Sequence, residues 1–276
     1  TTSRDENGLR ETLTTLETPN ANLSGDVLLK SGGSDISIEG TLADAALILA
    51  QVTGPVQLNA QAREDEDRVW AWETTVSMER TRFEASGDAR DVFTLPLVSG
   101  KGRFEAERLA DFAELAGRPL KGAIATDFSG AVVADLSRGS LTLNGQASDV
   151  ETGIPQANAL LEGRVAFDIS ASMDGAGFVL QESTIDGPQI LLQANAALVD
   201  QESRFDIRGQ IADAARVLTG LPTGALTFDT TGQQDGRDWQ VQANAAGPGL
   251  LLARAGLVLD PSQTPGFACN VQANVG

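Results

Sequence analysis

Five glycines along this chain each open a run in which every second residue is apolar or small and uncharged. Gly25 leads Val27 and Leu29; Gly54 leads Val56, Leu58 and Ala60; Gly122 leads Ile124, Thr126 and Phe128. Gly163 leads Val165, Phe167, Ile169 and Ala171, and Gly224 leads Leu226 and Phe228. Side chains in a strand alternate between two faces, so each run presents one apolar face and one wet face. A chain that keeps restarting the same unit builds something long, and its apolar faces join into a strip.

A second pattern lies between the runs, with the spacing apolar-x-apolar-x-Gly-x-apolar-x-Asp. It reads Ile36, Ile38, Gly40, Leu42, Asp44, then Phe83, Ala85, Gly87, Ala89, Asp91. It returns as Leu141, Leu143, Gly145, Ala147, Asp149 and as Phe205, Ile207, Gly209, Ile211, Asp213. The four glycines inside this motif read as bulges or kinks that curve the sheet, and curvature would widen a trough. Asp44, Asp111 and Asp213 end near-identical tripeptides and precede helix-forming stretches, which marks them as N-caps. Gly117 with Pro119 and Gly220 with Pro222 read as stops. The next strand glycine follows ten or eleven residues after each aspartate. The intervals between units are unequal, which suits a solenoid-like sheet with insertions better than a β-helix of fixed rungs.

The ends differ. Leu9, Leu13 and Leu16 recur at helical spacing before Pro19, so the spacing predicts a short amphipathic helix over the first strand edge. Residues 1–22 are therefore read as a helical cap or linker, 23–260 as the repetitive β region, and 261–276 as a terminal loop and edge strand. The loop is Pro261 to Pro265 and the strand Phe267 to Val275. The chain opens Thr1-Thr2-Ser3, without methionine or signal peptide, and reads as a processed product or an excised segment.

Composition narrows the function. Aromatic residues are 5% with no tyrosine, so Ala, Gly, Val, Leu and Thr must do most of the packing. The formal charge of −18 repels nucleic-acid phosphate, and no basic stripe offsets it. The densest charge cluster, Asp65 to Asp67 between Arg63 and Arg68, reads as a solvated hairpin loop. Cys269 is the single cysteine, so an internal disulfide is excluded; this fits a cytosolic protein or a periplasmic one that avoids cysteine. The longest apolar patch, Ala45 to Ala50, is far shorter than the roughly 18 residues that span a bilayer.

Signs of catalysis are missing. There is no histidine, no nucleophile elbow, no phosphate-binding loop and no paired-cysteine metal spacing. A two-carboxylate hydrolase would need aromatic sugar platforms, and Trp70 and Trp72 read instead as strand residues beside the acidic loop. The chain is expected not to be an enzyme and to need neither cofactor nor metal.

The segment Leu109 to Gly122, LADFAELAGRPLKG, and the segment from Leu141 to Leu161, which carries LTLNGQASDVETGIPQANALL, resemble recurring pieces of the TamB/AsmA-like envelope protein family of Gram-negative bacteria. The resemblance is one of repeat grammar and extends over most of residues 23–260. It implies a mostly β fold: an elongated, repetitive antiparallel sheet curved into a U-shaped groove, the β-taco, with a few short helices. It also implies a periplasmic location, phospholipid movement between inner and outer membranes, and a role with an outer-membrane barrel partner in outer-membrane protein assembly. The family's N-terminal membrane anchor and barrel-docking domain are not evident, so the chain is expected to be an interior slice of a longer, inner-membrane-anchored protein.

Phospholipid acyl chains are thus the expected partner. The expected groove lining in the first half is Val56, Leu58, Ile124 and Phe128. In the second half it is Val165, Phe167, Ile169, Phe205, Ile207, Leu226 and Phe228. A slip of one residue exchanges the faces, so either face of each strand could line the groove. The alternative from another class is a structural β-solenoid, an adhesin-like stalk whose apolar strip is a closed, dry core.

Overall fold

The computed structural model describes residues 2–5, 8–30, 33–47, 52–199, 202–217, 223–236, 238–247, 250–253, 256–259 and 267–275. Side chains are described for those between 17 and 247 other than Asp235 and Asp238. The fold is mostly β, repetitive and antiparallel, as the alternating runs require, and it divides into two units, 1–118 with 123–141 and 119–122 with 142–276.

The first unit is a meander of β1 (Thr2–Asp5), β2 (Gly8–Thr18), β3 (Ala21–Leu29), β4 (Asp35–Leu42), β5 (Val56–Glu64), β6 (Trp70–Met78), β7 (Thr81–Arg90), β8 (Leu97–Ala106) and β9 (Lys121–Val133). Each strand pairs antiparallel with the next, β9 joining β8 from Ile124 to Val133. β10 (Gly139–Glu151) leads into the second unit. There, after α1 (Pro155–Leu160), follow β11 (Arg164–Asp174), β12 (Gly177–Asp186), β13 (Ile190–Val199), β14 (Arg204–Ile211), β15 (Leu226–Asp235) and β16 (Asp238–Gly247). β11 to β16 pair in sequence, β16 pairs with β19 (Phe267–Val275), and β17 (Leu250–Ala253) pairs with β18 (Gly256–Leu259). The terminal strand lies where the sequence puts it; Pro261–Pro265 lie outside the described residues.

The expected N-terminal helix is a strand instead. β2 runs beside β3 with a register shift between Leu13 and Leu16, so that Leu13 stands opposite Gly25 and Leu16 opposite Leu23. The bulge inserts one residue into the strand between the two leucines. β1 and β2 are therefore strands of the sheet, not a helical cap upon it.

Three of the four glycines of the strand motif are not bulges. Register runs unbroken through Gly40, Gly87 and Gly209 on both sides. Besides the shift in β2, irregularities fall in β12, between Leu180 and Ser183, where Ser183 Oγ donates to the Gln181 carbonyl at 2.9 Å.

Among the described residues the helical stretches form 3-10 turns, Ala45–Leu47, Leu109–Phe112 and Ala214–Arg216. The proposed stops at Gly220 and Pro222 lie outside the described residues. α1 is the one α-helix among the described residues; the sequence reading placed none there, although Pro155 at its first turn fits a helix start.

Buried apolar side chains are few and sit mainly at strand ends and crossovers. Ala45 and Val52 lie between β4 and β5, Ala214 between β14 and β15, Ala106 ends β8 and Val165 opens β11. No large side chain among the described residues is fully buried. The middle of the sheet is where a sandwich would put its core, and there the packing is only partial.

Candidate functional site

Register carries one row of apolar residues across the first unit. Leu23 faces Gly40, which faces Leu58, then Val76, Phe83, Phe104 and Thr126 in turn. Directly opposed residues share a face, so this row and its neighbours at intervals of two define one side of the unit. The adjacent row reads Ile38, Ala60, Thr74, Ala85, Gly102 and Phe128. Apart from Ala85 and Thr126, which are buried, the side chains of these rows are half-buried.

The second unit repeats the arrangement. One row runs Phe167, Ile185, Leu192, Gly209, Phe228, Ala245; another runs Ala194, Ile207, Thr230, Ala243. The other side of the sheet carries Asp206, Arg208, Asp229 and Asn244.

Glycine supplies the relief of these faces. Phe128 stands opposite Gly102, Phe228 opposite Gly209 and Phe205 opposite Gly232. A Cβ on any of the three would run into the facing phenylalanine ring. Each ring therefore lies down over its glycine instead of standing up from the sheet, and the apolar face stays low. Trp72 does the same over Gly100, where a Cβ would come within 2.7 Å of the indole. Its Nε1 is buried without a hydrogen-bond partner. Phe83 and Phe128 stack with centroids 5.6 Å apart.

The crossovers close one edge of each face. Phe112, in the 3-10 turn between β8 and β9, meets Phe104 edge-on at 5.7 Å, which sets that turn over the apolar side. In the second unit Arg216 pairs with Glu162 at 2.7 Å and ties the turn after β14 to the end of α1. Exposure follows this asymmetry along β11: Val165 at the crossover end is 3% exposed and Met173, on the same face at the far end, is 42% exposed.

Two cap aspartates act as expected and more. Asp44 Oδ1 accepts from Ala46 N and from Gly54 N, both at 3.1 Å, and Asp213 Oδ1 accepts from Ala215 N and Gly224 N at the same distances. One carboxylate thus caps the turn and fixes the start of the next strand. Gly54 and Gly224 take φ of 98° and 134°, values open to glycine at little cost. Asp149 binds Gly163 N in the same way at 3.2 Å. Asp111 departs from the expectation: it lies inside its turn, buried, and pairs with Arg108. The turn starts at Leu109, two residues before Asp111, so the carboxylate lies past the cap position.

The polar faces carry cross-strand charge pairs. Arg63 meets Asp35 at 2.8 Å and Arg103 meets Asp127 at 3.1 Å and Glu105 at 2.7 Å. Hydrogen bonds that Arg103 donates to Glu105 and Asp127 hold its guanidinium above its ordinary pKa. A shallow concavity of about 870 Å³ opens here, lined by Asn59, Glu73, Glu84, Lys101 and Arg103. Its charges suit water better than hydrocarbon. Among the described residues no three acidic or cysteine side chains are placed to hold a metal ion, and no helix is long and apolar enough to cross a membrane.

The sequence-derived lining residues all fall on these apolar faces. Val56, Leu58, Ile124 and Phe128 share the face of the first unit; Val165, Phe167, Ile169, Phe205, Ile207, Leu226 and Phe228 share that of the second. Val165 is buried and the rest are half-buried. Sequence reasoning missed Val76, Phe104, Ile185 and Leu192, which complete the rows. The pairing register across the hairpins at 79–80 and 187–189 is what places them there. No protein-family model matches the chain, and no curated protein or solved structure does.

Proposed function

We propose that this chain is a periplasmic, bridge-like segment whose apolar strand faces conduct phospholipid acyl chains between the inner and outer membranes, with a contribution to outer-membrane protein assembly. The observation that carries the reading is an apolar face that is continuous in register from β3 to β9, and again from β11 to β16, yet half-buried through its middle. A stalk with a dry core would hide such rows completely. Exposed apolar strips of this extent mark binding surfaces. Each methylene laid on the strip contributes about 0.8 kcal/mol relative to water, and no polar code is required. The repeat grammar shared with the TamB/AsmA-like family supports the same reading, and the polar opposite face keeps the outside wetted.

The test is site-specific photocrosslinking in a reconstituted phospholipid-transfer assay. A photoreactive residue at Phe167 or Ile207 is expected to yield lipid adducts by mass spectrometry, whereas one at Asp206 or Arg208 is not. Equal labelling of both faces, or none from either, overturns the proposal.

A further inference from the structure

At the edge of the first unit away from the crossovers, Lys30 and Ser34 together with the turns after β5 and β7 surround an open cavity of about 930 Å³. Three cations line it, Lys30, Arg68 and Arg90, and none has an ion-pair or side-chain hydrogen-bond partner among the described residues. Two carboxylates line it as well, Asp67 and Asp91, equally without an ion pair. A third, Glu64, is already engaged: buried, it accepts from Ser34 Oγ at 2.8 Å and Ser34 N at 3.3 Å. The aromatic wall is Trp70, 6% exposed, meeting Phe93 edge-on at 6.5 Å, with Phe93 itself 82% exposed.

Opposite charges that share a cavity without pairing leave both signs open to a ligand that brings both. A phosphate suits the two guanidiniums and the ammonium, since arginine binds phosphate oxygens in a two-pronged fork. An alkylammonium suits the two carboxylates and the aromatic corner, through charge and through the ring face. Trp70 also belongs to the apolar face, standing opposite Ala89 and two residues before Trp72. The cavity therefore opens directly onto the strip on which a hydrocarbon tail would lie.

We propose that this cavity is a head-group site for a zwitterionic amphiphile, with phosphate held by Lys30, Arg68 and Arg90 and ammonium by Asp67 and Asp91. The proposal rests on the acyl-conducting reading of the apolar face and adds to it a selectivity at the mouth. Phe93 is the exposed lip over which the tail passes from head group to strip.

The experiment compares three single-chain probes of equal length, below their micelle concentrations, on the purified chain by tryptophan fluorescence and native mass spectrometry. They are lauroyl-glycerophosphoethanolamine, lauroyl-glycerophosphate and lauroylglycerol. The zwitterion is expected to bind about tenfold tighter than the neutral probe, a preference that one or two charge-assisted contacts supply. In the Lys30→Gln/Arg68→Gln/Arg90→Gln variant, and in the milder Arg90→Gln alone, that preference should shrink while lauroylglycerol affinity stays constant. Asp67→Asn/Asp91→Asn should erase the advantage of the zwitterion over lauroyl-glycerophosphate. Equal binding of all three probes by the unaltered chain, or a preference that survives the triple substitution in a folded protein, overturns the head-group site and leaves the apolar strip standing. Failure of every probe to bind overturns both.

Discussion

Phe205 on β14 lies over Gly232, the residue directly opposite it on β15, and occupies the space where a side chain on that glycine would begin. The nearest atoms to such a Cβ all belong to the Phe205 ring, which also meets Trp239 with centroids 5.8 Å apart. Gly232→Ala must therefore push the ring off the sheet, and overpacking of this kind costs about 1–3 kcal/mol. Removing the ring should remove the penalty. Urea denaturation of Gly232→Ala, Phe205→Ala and the double variant is expected to show a coupling above about 0.5 kcal/mol. Additive effects would mean that the ring does not rest on the glycine.

Asp213 and Asp44 make a second, separate prediction. Each carboxylate oxygen serves two amides, one in the turn and one at the first glycine of the next strand. Loss of a cap costs about 0.5–2 kcal/mol, and the unsatisfied strand amide adds to that. Asp213→Ala is expected to sit at the top of this range, and Asp213→Asn, which keeps the accepting oxygen, near the unaltered protein. Hydrogen exchange should locate the Asp213→Ala loss at Ala215 and Gly224.

These two devices show what the sequence could and could not disclose. Alternation placed the strands, because a period of two is written directly in Val56, Leu58 and Ala60 or in Val165, Phe167 and Ile169. The aspartates were legible because a cap residue needs only local sequence. The glycine slots were not, since the reason for Gly209 or Gly232 stands on a neighbouring strand, 19 and 27 positions away at Phe228 and Phe205. The N-terminal strand was misread for a related reason. A bulge between Leu13 and Leu16 imitates helical spacing, and only the partner β3 reveals it. Asp111 shows the same limit at short range, where the turn begins two residues early, at Leu109, and leaves the carboxylate to Arg108.

The polar face should be far more tolerant than its apolar counterpart. Arg103 contacts Glu105 and Asp127, but all three side chains are largely exposed, so the pairs are screened by water and salt. Arg103→Gln is expected to change unfolding free energy by less than about 1 kcal/mol and to leave phospholipid transfer unchanged. A large loss of either would mean that the charged concavity is the working surface.

The sharpest prediction compares two residues of one strand and one face. Val165 is 3% exposed beneath the crossover, whereas Phe167, two positions on, is half-buried. A carboxylate forced into the Val165 position loses its water, and burying an unpaired charge costs about 3–5 kcal/mol. Val165→Glu should therefore unfold the second unit in mild urea. A glutamate at Phe167 keeps much of its hydration because that part of the face is open. Phe167→Glu, and likewise Ile207→Glu, is expected to remain folded by circular dichroism while abolishing acyl-chain passage in the reconstituted transfer assay. The charge interrupts the apolar strip, and a hydrocarbon chain crossing it must displace bound water without compensation. Normal transfer by folded Phe167→Glu would show that lipid does not travel along this face.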